Sequence, residues 1–153
     1  MKKFTLLILT LIFSATAFAQ RISITDFCYK QEGVIGTHNI GDIKYKLGYK
    51  GFAHIKTSKE QDIGPGGVLY TFNLFTYYHR STNTYVELSE GIPLSITFNS
   101  TSDANLFIAE AIRIGYVVKS DDGYYSLTRY EEYDGICGFS LNGRVLYFGW
   151  DQP

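Results

Sequence analysis

Few side chains in this chain could do chemistry. They are two cysteines, Cys28 and Cys137, three histidines, His38, His54 and His79, and the carboxylate clusters Asp121-Asp122-Gly123 and Glu131-Glu132-x-Asp134. The histidines lie 16 and 25 residues apart without a second ligand at helical or turn spacing, so a metal site would have to be assembled wholly by the fold. The carboxylates lack the alternating oxygen-ligand spacing of a calcium loop and read as hairpin turns. Gly64-Pro65-Gly66-Gly67 lacks the Lys-Ser/Thr ending of a phosphate loop and precedes a strand, so it reads as a plain connection. Neither Gly-x-Ser-x-Gly nor Ser-x-x-Lys occurs after residue 19. The residues therefore predict no catalytic group, no metal site and no cofactor.

Where the protein works decides what the cysteines do. Residues 1–19 have the parts of a cleavable signal peptide: Lys2-Lys3, the apolar run Phe4 to Phe13, and Ala17-Phe18-Ala19 before Gln20. The run is shorter than the ~20 residues a membrane span needs, and no later segment is apolar for long enough. The expectation is a periplasmic or secreted protein that begins at Gln20 and has no membrane span after cleavage. In that oxidising compartment Cys28 and Cys137 are expected to pair, closing a loop of ~100 residues worth ~4–5 kcal/mol in the chain-entropy model. Two separate buried thiols are the alternative, since two cysteines alone fix no geometry. With Lys2 and Lys3 removed, 12 basic and 15 acidic residues leave a net charge of −3, which argues against a nucleic-acid partner. Residues 20–80 hold 8 basic and 5 acidic side chains and 81–153 hold 4 and 10, so the second half is the acidic one.

The aromatic load, 13 Tyr and 11 Phe, is the most suggestive feature. On the run Val68–His79 one face reads Val68, Tyr70, Phe72, Leu74 and Tyr78, a core side. The other reads Leu69, Thr71, Asn73, Phe75, Tyr77 and His79, too aromatic for plain exposure and too polar for a deep core. Phe75, Tyr77 and His79, with Tyr85, Glu87 and Tyr147, have the composition of a protein-binding patch. A covering layer, or the preference of tyrosine for strands, would explain the same residues without a partner.

The elements that must position these residues are mostly strands. Helices are predicted around Thr25–Gln31, over Ile40–Leu47 with Gly48 as its stop, and over Asp103–Ile114, with Ser102 as cap and Gly115 as stop. Strands are predicted over Phe52–Lys56, Val68–His79, Thr84–Leu88, Leu94–Phe98, Tyr116–Lys119, Tyr124–Tyr130, Ile136–Leu141 and Arg144–Trp150. With Asn142-Gly143 as a hairpin turn, Phe139 faces Leu146 and Cys137 faces Phe148, which aims Cys137 at the core. Each half reads as helix then four strands, and Lys46-Leu47-Gly48-Tyr49 echoes Arg113-Ile114-Gly115-Tyr116. The expected fold is α+β, two tandem repeats of short helices followed by a four-stranded antiparallel sheet, spanning residues 20–99 and 100–153.

This element order, with the helix-ending Leu-Gly-Tyr type signature, resembles small exported bacterial proteins with two helix-then-sheet repeats. It is similar in architecture to the β-lactamase inhibitory proteins, which differ in carrying paired cysteines within each repeat. The resemblance implies an enzyme-binding, aromatic-rich sheet face. The leading expectation is an exported, non-enzymatic interaction module, an inhibitor or immunity-type protein whose partner is an exported or envelope protein. A small-ligand or glycan binder with a pocket between sheet and helices is the alternative, and a small hydrolase the third reading. The first exposes Phe75, Tyr77, Tyr85 and Tyr147 together; the second buries them around a cavity.

Overall fold

The structure is a computed structural model that describes residues 21–63, 65–90, 92–120, 123–128 and 135–150. The signal-peptide stretch 1–19, the Gln20 start and the carboxylates at 121–122 and 131–134 lie outside the described residues. A 3-10 turn at Ile24–Asp26 leads into β1 (Cys28–Gln31), β2 (Val34–Thr37) and helix α1 (Ile40–Tyr49). Four strands follow: β3 (Ala53–Ile63), β4 (Leu69–His79), β5 (Thr84–Leu88) and β6 (Pro93–Thr97). Helix α2 (Thr101–Arg113) then precedes β7 (Val117–Lys119), β8 (Tyr125–Leu127), β9 (Ile136–Asn142) and β10 (Val145–Trp150). Among the described residues no helix is long and apolar enough to cross a membrane.

Both helices begin on a side-chain cap. Asn39 Oδ1 accepts from the Asp42 N–H at 2.9 Å, and Ser100 Oγ accepts from the Asp103 N–H at 3.1 Å. Ser100, not Ser102, therefore opens α2. Both helices also end alike. Gly51 (φ 88°) and Gly115 (φ 74°) turn left-handed, while Phe52 N–H returns to the Leu47 carbonyl and Tyr116 N–H to the Ala111 carbonyl, at 3.0 and 2.9 Å. Gly48 lies inside α1, so the counterpart of Ile114-Gly115-Tyr116 is Lys50-Gly51-Phe52 rather than the expected echo one turn earlier. The helix expected over Thr25–Gln31 is also corrected. Glu32 and Gly33, both at positive φ, close a hairpin that makes Cys28–Gln31 a strand paired with Val34–Thr37.

The expected pair of four-stranded sheets is instead one antiparallel eight-stranded sheet, ordered β3-β4-β5-β6-β10-β9-β8-β7, beside the two-stranded β1–β2. The two groups of strands meet where β6 pairs with β10, Ile96 opposite Leu146. Val86, Leu88, Ile96, Phe139, Leu146 and Phe148 line one face and are buried. The described helices and the N-terminal segment pack there: Phe107 of α2 stands 5.5 Å from Phe98 and 6.1 Å from Phe139, and Phe27 stands 4.9 Å from Phe148. Lys44 of α1 places its Nζ 3.7 Å above the Phe75 ring. Buried Asp26 pins the N-terminal segment by accepting from Lys50 Nζ at 2.7 Å and from the Ser23 N–H at 2.8 Å.

The last hairpin turns at Gly143-Arg144, pairing Asn142 with Val145, two residues off the expected register. A slip of two leaves each side chain on its face, so Phe139, Leu141, Leu146 and Phe148 still share the core side. A bulge at Gly149/Trp150 then pairs Trp150 with Ile136 and brings Ile136, not Cys137, into the core. Cys137 turns toward Tyr124, whose hydroxyl is 3.4 Å from its sulfur. The Tyr124 ring lies across the paired Gly138 and Gly149, whose missing side chains leave room for it. Cys28 is fully buried on the opposite side, and both cysteines are free thiols. The expected disulfide is not formed, because the bulge has aimed the second sulfur away from the first.

Candidate functional site

The register of β4 against β5 divides the expected patch. Phe75 pairs with Leu88, Tyr77 with Val86 and His79 with Thr84, so these three share the core face of the sheet. Phe75 and Tyr77 pack against the core under α1 and beside His54, and burial raises the Tyr77 hydroxyl above its ordinary value. Tyr85 pairs with Tyr78 and Glu87 with Thr76, which places them on the opposite face, free of helices among the described residues. Tyr147, paired with Ser95 and Ser140, joins them there. The six residues therefore do not form one surface: three lie beneath the helix layer and three beyond it.

The outer face is built from side chains that the alternation on β4 had assigned to the core. Tyr78 stacks on Tyr85 with ring centroids 4.6 Å apart, and its hydroxyl donates to Asn83 Oδ1 at 3.2 Å. Asn83 Nδ2 in turn donates to Asn99 Oδ1 at 2.9 Å, tying the rim of this face to the start of α2. Two strands away Tyr147 is 48% exposed. Between them Glu87 is partly buried and accepts from Ser95 Oγ at 2.8 Å. One carboxylate oxygen is held in place by this bond, between the cross-strand neighbours Thr76 and Ser95.

The same face continues onto a projecting ribbon. Only Phe75–His79 of β4 pair with β5, so the ladder from Ser58 and Leu74 out to Ile63 and Leu69 runs beyond the body of the sheet. A 3-10 turn at Pro65–Gly67, with Gly66 and Gly67 left-handed, closes it. Its tip is apolar and exposed, with Ile63 at 69%, Leu69 at 57% and Tyr70 at 53%. Tyr70 continues the outer face, whereas the paired Ile63 and Leu69 project from the other side of the ribbon.

The histidines and cysteines serve the scaffold. His79 is buried with Nδ1 accepting from the Thr82 N–H at 3.2 Å and from Thr82 Oγ1 at 2.7 Å, and its Nε2–H bonds the Lys50 carbonyl. Lys46 Nζ donates to His38 Nε2 at 2.5 Å and to the Thr25 carbonyl at 2.9 Å. Burial lowers the pKa of both histidines, and Lys46 lowers that of His38 further. Burial pushes the Cys28 thiol up to about 12, which leaves no thiolate for nucleophilic chemistry. His54 Nε2 lies 2.9 Å from Thr57 Oγ1 on the exposed edge strand. Among the described residues no group of three His, Cys, Asp or Glu is placed to hold a metal ion.

A pH dependence follows from His38 and His79. Their folded pKa values lie below the ordinary 6.5, so the unfolded chain binds more protons in the interval between. The stability they contribute is complete above that value and is lost as the pH falls from it through the folded values. The unfolding temperature is expected to decline between about pH 7 and pH 5, and less steeply in His38→Gln/His79→Gln, as read by thermal melts.

The chain matches no protein-family model, no curated protein and no solved structure.

Proposed function

We propose that the protein is an exported, non-enzymatic interaction protein, an inhibitor or immunity-type partner of another exported or envelope protein. Contact runs through the helix-free sheet face rather than the Phe75–Tyr77 side. The observation that carries this reading is the face shared by exposed Tyr85 and Tyr147, half-buried Tyr78 and the positioned Glu87, opposite the face on which the two described helices pack. Rigid aromatic anchors around a positioned polar group are what a protein–protein hot spot needs. The matching helix ends at Gly51 and Gly115, each followed by a buried aromatic and a strand, support a reading of the two halves as repeats. The alternative is a ligand or glycan pocket between sheet and helices, in the region where Phe107, Phe139, Leu146 and Phe148 pack.

The test is recovery of binding partners from the producing cell's envelope and medium, identified by mass spectrometry. Tyr85→Ala/Tyr147→Ala is expected to lose the partner that wild type recovers, because removing two such anchors costs about 2–4 kcal/mol each. Its unfolding temperature should stay close to wild type, since both side chains are exposed. Unchanged recovery would remove this face from consideration.

A further inference from the structure

The edge strand of the ribbon carries a pattern of its own, on the side of its backbone away from β4. β3 ends the eight-stranded sheet, so among the described residues no strand lies along the other side of its backbone. Of its eleven residues only Ser58 is not exposed. Ser58 Oγ is also shielded from solvent without a hydrogen-bond partner among the described residues. Lys56 and Glu60 flank it at i−2 and i+2, on the same face, and neither has an ion-pair partner among the described residues. An unpaired backbone edge, an unpaired hydroxyl and two opposite unpaired charges placed symmetrically about it form a self-complementary pattern.

We propose that two copies of this chain join edge to edge, β3 antiparallel to β3, about a two-fold axis through Ser58. A two-fold axis perpendicular to the sheet keeps like faces together, so such a pairing must centre on a residue. Centred on Lys59 or Glu60, it sets like charges directly opposite, which is unfavourable. Centred on Thr57, it leaves Lys56 opposite Ser58 and pairs no charges across the edge. Centred on Ser58, Lys56 of each copy faces Glu60 of the other, twice, and the two Ser58 hydroxyls meet at the axis. The pairing satisfies the open backbone groups of both edges and makes one continuous sheet through the two copies. It also gives the projecting ribbon a second neighbour, with the Ile63 end of each copy beside the start of β3 in the other.

Sedimentation velocity over the micromolar range, on protein isolated from cells expressing the full sequence, tests the proposal. Wild type should sediment as a dimer. Lys56→Glu and Glu60→Lys should each weaken the dimer roughly tenfold or more, because either change sets two like-charge pairs across the axis. The combined Lys56→Glu/Glu60→Lys swap should restore it. Circular dichroism melts matching wild type establish that each variant folds. A monomeric wild type, single variants that dimerise as tightly as wild type, or a double swap no tighter than the single variants would each overturn the proposal.

Discussion

Lys50→Met is expected to lower the free energy of unfolding by about 3 kcal/mol, because it strands the Asp26 carboxylate in the interior. Asp26 and Lys50 make an ion pair at 2.7 Å, with side-chain exposures of 6% and 19%. Removing one partner of such a pair costs about 3–5 kcal/mol, and the low end applies because the Ser23 N–H still reaches Asp26. The Lys50 ammonium also holds the Arg21 carbonyl at 2.8 Å, so the change frees the whole 21–26 segment from the end of α1. The double variant Asp26→Asn/Lys50→Met should recover most of the loss. Urea unfolding followed by circular dichroism checks both. A single variant within 1 kcal/mol of wild type would show, by roughly the worth of a surface pair, that Asp26 is solvated after all.

Phe139→Ala should cost about 3–5 kcal/mol, the range for emptying a fully buried aromatic position. Phe139 has no exposure and stands where four elements meet. Its ring centroid lies 5.3 Å from that of Tyr125, 6.1 Å from Phe107 and 6.5 Å from Phe148. The cavity therefore opens between α2 and three strands, and collapse from any one side is resisted by the others. Phe139→Leu keeps most of the volume and should lose less. Equal losses in the two variants, measured in the same urea experiment, would mean that ring geometry rather than filled space stabilises this position.

Much of the fold was legible because several elements carry unambiguous local chemistry. β5 at Thr84–Leu88 has strict alternation, and α2 has Ala104, Phe107, Ile108 and Ala111 on one buried side. The faces of β4 were not legible from β4 itself. Both of its alternating sets contain aromatics, so period two gives no polar contrast, and the wrong choice inverts every side chain at once. The signal that settles it lies on β5, where Thr84, Val86 and Leu88 must be the buried set and pair directly with His79, Tyr77 and Phe75. Reading the turn between β4 and β5 as four residues would have assigned Tyr78, Tyr85 and Glu87 to one outer face. The bulge that redirects Cys137 had no such signal. Gly138 and Gly149 are ordinary in the sequence, and only the Tyr124 ring lying across them explains why both lack a side chain. The exposed Tyr45 and Tyr49, one turn apart on α1, also went unmarked, since an amphipathic helix carries outward residues as a matter of course.

The seam between β6 and β10 has a consequence for how the chain reaches this state. Every other ladder of the large sheet joins strands that follow one another in the sequence, and this one joins Thr97 to Val145. The two runs of strands can therefore close over short loops early, whereas Ile96 must wait for Leu146 across α2 and three intervening strands. Until β10 is synthesised, β6 presents an open apolar edge, and a nascent chain in that condition is open to pairing with its neighbours. Completing the large sheet therefore depends on its one long-range ladder, and β10 is the strand that closes it.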